Sequence, residues 1–109
     1  MSENLIMETE TEEIIDIEEY AKTGRKPPKA KRYRIKIDKK PYVVNVSAMT
    51  GRELLNLAGK VPATNYLIFQ TLHGGEPSKI GLDENADFTT PGVERFRTLP
   101  LDQTDGELN

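Results

Sequence analysis

The stretch "YRIKIDKKPYVVNV", residues 33–46, constrains the fold more than any other. Tyr33, Ile35 and Ile37 alternate with Arg34, Lys36 and Asp38, which is the two-residue period of a strand with one buried face. A tight "DKKP" connection follows, and "YVVNV" reads as a second strand antiparallel to the first. The pair predicts a β-hairpin.

The next segment predicts a helix across that hairpin. In "SAMTGRELLNLAGKVP", Thr50 followed by Glu53 is a capping-box pattern, in which hydroxyl and carboxylate each satisfy an orphan amide of the first turn. Leu54, Leu57 and Ala58 share one helical face with Leu55 at its margin, and Gly59 and Pro62 supply the stop. "NYLIFQTL" then reads as a strand, and "HGGEPSKIGL" as a glycine loop leading to a brief extended piece that ends at Leu82. "DENADFTTPG" is turn chemistry with Phe88 as its apolar anchor, and "VERFRTL" is a last strand with Phe96 inward. The expected order is strand, strand, helix, strand, short strand, strand.

These elements fill residues 32–101, one domain in a chain of 109 residues. Residues 1–31 form an N-terminal extension, flexible or docked on a partner, in which Pro27 and Pro28 break regular structure. Residues 102–109 form a flexible C-terminal tail. The net charge of −3 is segregated: eight acidic residues from Glu3 to Glu19 precede the cations Lys22, Arg25, Lys26, Lys29, Lys31 and Arg32. A basic cluster suits phosphate backbones, but the acidic block beside it argues against nucleic acid as a partner. Within "EIIDIEEYAK", Ile14, Ile15, Ile17 and Tyr20 stand out. They read either as a nascent helix of no consequence, or as a docking segment buried on a partner or a neighbouring copy. Head-to-tail docking between copies would build oligomers or filaments.

Several function classes fall away. The chain has no cysteine, which excludes disulfides, thiolate metal sites and a cysteine nucleophile. The acidic start lacks the basic end and apolar run of a secretory signal, and no stretch reaches membrane-spanning length. The expectation is a cytoplasmic protein without membrane contact. His73 is the single histidine and reads as a loop residue, with no metal site expected. "HGGEP" lacks the lysine and hydroxyl residue of a phosphate-binding loop. No nucleophile stands near a base in a recognised pattern, so neither catalysis nor a cofactor is expected.

The element order is that of an α+β, β-grasp fold, a mixed sheet curled around one helix. The residues resemble ubiquitin-like proteins, and more closely the bacterial multiubiquitin family. The resemblance rests on "YRIKID", "PYVVNVSAMTGRELLNLAG", "NYLIF", "HGGEP", "IGLDE", "DFTTPGVERF" and "LPLDQTDG", nearly continuous from Tyr33 to Gly106. The chain carries one such unit and is similar to a single-domain member. The resemblance implies a protein modifier, acted on by a ubiquitin-activating-like enzyme, a conjugating enzyme and a metal-dependent deconjugating peptidase. It also implies a link to antiphage defence.

A modifier must thread its C-terminal carboxylate into an activating enzyme. A terminal glycine suits that task, because it crowds the reacting carbonyl least. Gly106 is the candidate, carried on the arm from Leu99 to Asp105, and Glu107 marks the far side of the cut that would expose it. Where ubiquitin-type tails end in a glycine pair, Asp105 precedes Gly106 here. A sulfur carrier of the same fold, ending in a thiocarboxylate, is the alternative. Ubiquitin-like proteins often keep an apolar recognition patch on the outer sheet face. If Leu67 faces the helix, Ile68 lies on that face, and Leu99 or Leu101 extends the patch. Lys39, Lys40, Lys60 and Lys79 are candidate acceptors for a further copy.

Overall fold

The computed structural model describes residues 11–101. β2 (Ala30–Ile37) and β3 (Lys40–Val44) form the expected hairpin, paired antiparallel from Tyr33 opposite Val44 to Ile37 opposite Lys40. Asp38 and Lys39 make the turn with φ of 52° and 72°, the paired left-handed residues that match a hairpin's twist. Tyr33, Ile35 and Ile37 are buried as their alternation predicts, while Arg34 and Lys36 point the other way.

After the short β4 (Ala48–Thr50) comes helix α2 (Gly51–Leu57). Its capping box is complete: the Glu53 amide donates to Thr50 Oγ1 at 3.1 Å, and the Thr50 amide donates to Glu53 Oε1 at 2.9 Å. Gly59 takes φ of 76° just past the helix end, the left-handed conformation that stops it. Leu54 and Leu55 are both fully buried, whereas Leu57 is only partly so. The helix is seven residues long and seats its middle, so Leu55 lies at the centre of the contact and not at its margin.

A single 3₁₀ turn (Ala63–Asn65) leads into β5 (Tyr66–Leu72), which pairs antiparallel with β6 (Pro77–Ile80) and with β8 (Val93–Pro100). β7 (Asn85–Asp87) pairs with β4 in a small separate ladder, so the region expected to be turn alone holds a strand. Phe88 and Phe96 are buried as expected, and with Tyr33 they form a ring cluster with centroids about 6 Å apart. The mixed sheet wraps α2, which is the β-grasp arrangement.

The larger difference from expectation lies before the hairpin. β1 (Thr11–Asp16) and helix α1 (Ile17–Lys22) belong to the domain. β1 runs parallel to β2, with Ile15 opposite Tyr33 and Asp16 opposite Arg34. β3 takes the other edge of β2, so β1 and β8 share one edge, β1 along Ala30–Arg34 and β8 at Ile37. α1 then packs against β8. Ile15, Ile17 and Ala21 are buried.

The proline pair does not leave a free spacer either. Pro27 is buried, and the Tyr33 hydroxyl donates to the Pro28 carbonyl at 3.0 Å while accepting from the Ala30 amide at 2.8 Å. Among the described residues no helix is long and apolar enough to cross a membrane.

Candidate partner-binding face and C-terminal arm

The pairing of β5 with β8 decides which side chains meet a partner. Ile68 stands opposite Thr98 and Ile80, and it is 1% exposed. It therefore faces α2, and the expectation that it contributes to an outer recognition patch is corrected. Strand alternation then turns Leu67 and Phe69 outward, both partly exposed. Leu67 stands opposite Leu99, and Phe69 opposite Arg97 on one side and Lys79 on the other. Leu99 is 42% and Leu101 41% exposed, in keeping with the surface positions expected for them. The sequence run Leu67-Ile68-Phe69 conceals its phase, and only the paired residues reveal it.

The N-terminal candidates divide in the same way. Ile15 and Ile17 are buried, Tyr20 packs partly against the core with the Arg25 guanidinium 4.4 Å from its ring centre, and Ile14 is exposed. Ile15 and Ile17 are buried in the chain's own core, which corrects the expectation of a docking segment buried on a partner or a neighbouring copy. Asp16 caps α1, its carboxylate accepting from the Glu18 amide.

Electrostatics bind this segment to the face turned away from α2. Glu18 lies 2.8 Å from Lys36 Nζ, 3.5 Å from Lys22 Nζ and 3.7 Å from Arg95. The hydrogen bond from Lys36 holds the Glu18 carboxyl below its ordinary value, outweighing a burial effect of the opposite sign. The same bond raises Lys36. Glu94, buried in the bulge of β8, is shared by Arg95 at 3.3 Å and His73 Nδ1 at 3.5 Å. His73 itself sits in the exposed loop after β5. Among the described residues no group of three His, Cys, Asp or Glu is placed to hold a metal.

At its far end β8 delivers the C-terminal arm. Tyr66 pairs with Pro100, and the Leu101 amide donates to the Asn65 carbonyl at 2.8 Å, the last link tying the arm to the domain among the described residues. Asp105, Gly106 and Glu107, the expected conjugation and processing residues, lie outside the described residues.

Comparison with known proteins bears on this arrangement. No curated protein matches the chain, and no solved structure does. The multiubiquitin family model matches residues 33–100, from the first core residue of the hairpin to the end of β8. The match covers more than half of the 109 residues. It leaves the strap formed by β1 and α1 outside the matched residues. A hairpin, a capped helix and a closing strand in β-grasp order, together with that match, place the chain in the multiubiquitin family.

Proposed function

We propose that this protein is a ubiquitin-like modifier. A peptidase cuts after Gly106, and an activating enzyme joins the freed carboxylate to the AMP portion of ATP with release of pyrophosphate. A conjugating enzyme then transfers the acyl group to an amine of a target, AMP having been displaced by a carrier nucleophile on the way. The protein is the group transferred, and the catalytic residues belong to its enzymes.

The observation that carries this reading is how β8 leaves the domain. Leu99 and Leu101 are exposed where the strand leaves the sheet, and Gly106 follows Leu101 by five residues in the sequence. Fully extended, five residues reach roughly 17 Å, enough to carry a carboxylate into another protein's channel. Membership of the multiubiquitin family supports the same reading. The absence of cysteine from the sequence is compatible with it, since the thiol steps of such a relay sit on the enzymes.

The test is the intact mass of the protein recovered from its own host under denaturing conditions. A form ending at Gly106, together with heavier species linked through the Gly106 carbonyl, is the expected result. If every molecule retains the residues after Gly106 and none carries an adduct, the modifier reading fails. A trimmed form heavier by the exchange of oxygen for sulfur would favour the sulfur carrier instead.

A further inference from the structure

Thr11 marks where the chain enters the sheet. It stands opposite Ala30, and β1 runs from there parallel to β2 until Asp16 faces Arg34. The entry point is therefore the Ala30 end of β2. The same end holds the exit of β3, because Val44 pairs with Tyr33 and residues 45–48 continue past it. A cleft of about 600 Å³ opens there, lined by Ala30, Lys31 and residues 45–48. It shares Asn45, Val46 and Ala48 with a groove of about 800 Å³ between β3 and α2, whose walls include Val43, Met49 and Leu57.

The groove combines apolar walls with an open backbone edge. Val43 is 49% and Val46 45% exposed, and Met49 and Leu57 are partly so. β3 pairs with β2 and with no other strand among the described residues, which leaves an edge able to accept a further strand. Glu53, the acid in the groove, already accepts from the Thr50 amide in the capping box, while Arg32 in the groove and Lys31 in the cleft supply cations. Residues 1–10, outside the described residues, read "MSENLIMETE", an apolar block of Leu5, Ile6 and Met7 between Glu3 and the pair Glu8 and Glu10. Leu5 precedes Thr11 by six residues, a reach of roughly 20 Å when extended. Crossing from β1 over β2 to β3 takes two strand spacings, about 10 Å. The block is long enough to reach the groove.

We propose that residues 5–7 fold back over the β3 edge of their own chain and occupy the groove between β3 and α2. Their apolar side chains lie against Val43, Val46, Met49 and Leu57, their backbone adds to the open edge of β3, and Glu8 and Glu10 approach Lys31 and Arg32. The tether between Met7 and Thr11 is short, and such a link holds a segment near its site at an effective concentration on the order of millimolar, which favours it over the same segment of a second copy. The segment thereby covers an edge that would otherwise pair with another chain, and an extended apolar segment of any partner has to displace it. The contact does not involve Gly106, so its failure and the failure of the modifier reading are separate outcomes.

The test exploits the absence of cysteine from the sequence, which lets one nitroxide be placed without competition. The ¹⁵N-labelled full chain with Ser2→Cys, carrying a nitroxide on that thiol, should lose amide signal at Val43, Val46, Met49 and Leu57 and keep it at Lys79 in β6, at the far end of the sheet. The loss should vanish when nitroxide-bearing chain without ¹⁵N is mixed with ¹⁵N-labelled chain that bears no nitroxide, because the contact lies within one chain. Adding Leu5→Ser and Met7→Ser to the nitroxide-bearing chain should cut the loss at the groove several-fold, with unchanged signals at Leu54 and Phe96 verifying the fold. No selective loss at the groove, or indifference to the two serine substitutions, would overturn the proposal. Loss that persists in the mixed sample would overturn it too, by giving the groove to a second copy.

Discussion

Lys36 Nζ lies 2.8 Å from Glu18 Oε1, joining the N-terminal helix to the second strand of the sheet. Their mutual shifts make the bond visible in pH dependence. Glu18 is depressed from its ordinary 4.5, so its contribution is complete above that value and is lost as pH falls through the depressed one. Lys36 is raised from 10.5, so its share is complete below that value and is lost as pH rises through the raised one. Glu18→Gln should cost about 1–2 kcal/mol at neutral pH. By urea denaturation, the gap between wild type and variant should stay level through neutrality and narrow on the acid side below 4.5. A gap that widens with acid would contradict the assignment.

Ile17 and Ile14 provide an internal comparison of the strap. Ile17 is 1% exposed and belongs to the core cluster, whereas Ile14 is 39% exposed. Ile17→Ala should cost about 2–4 kcal/mol, as deletion of a buried aliphatic group does, and Ile14→Ala less than about 1 kcal/mol. Equal, small effects would mean that the strap lies on the sheet without contributing to the fold.

What the sequence made legible follows from where its periodicity is clean. Tyr33, Ile35 and Ile37 alternate with charges, so the phase of β2 could be read directly. Thr50 and Glu53 form a local hydrogen-bonded motif that requires no knowledge of the rest of the chain, and it is present in full. The run Leu67-Ile68-Phe69 has no polar alternation, and the burial of Ile68 is set by its cross-strand partners Ile80 and Thr98, which a period cannot report. β4 and β7 are three residues each, too short to carry a pattern. "EIIDIEEY" did signal that its isoleucines need a surface, but which surface depends on the vacant edge of β2 beside β8, a property of topology. The exposure of Leu99 and Leu101 was legible from their place at the end of the last strand, while the outward phase of Phe69 and Arg97 emerged only from the pairing.

Gly51 tests packing against propensity. Replacing glycine by alanine near a helix start ordinarily favours the helix by up to about 1 kcal/mol. Here the added Cβ would run into the Gly81 carbonyl oxygen and lie 3.3 Å from Ile68 Cγ2. The Gly51 amide also donates to the Glu84 carbonyl at 3.1 Å, so the helix start cannot back away without losing that bond. Gly51→Ala should therefore destabilise, by about 1–3 kcal/mol, measured as a lower urea midpoint at an unchanged slope. A rise in the midpoint would show that the two backbones separate freely.

The Tyr33 hydroxyl fixes the turn between α1 and β2 through two backbone groups. The Tyr33 ring is fully buried against Phe88, while the hydroxyl bridges the Ala30 amide and the Pro28 carbonyl. Tyr33→Phe keeps the ring and removes the bridge, leaving both backbone groups short of a partner at an expected cost of about 1–3 kcal/mol. The loss should be local first, because the segment from α1 to β2 turns on that bridge. Amide exchange should accelerate at Ala30 and at Ile15 and Ile17, with little change at Leu54, Leu55 and Phe96. If all of these amides accelerate together, the strap and the wrapped helix open as one unit, and the hydroxyl acts on global stability alone.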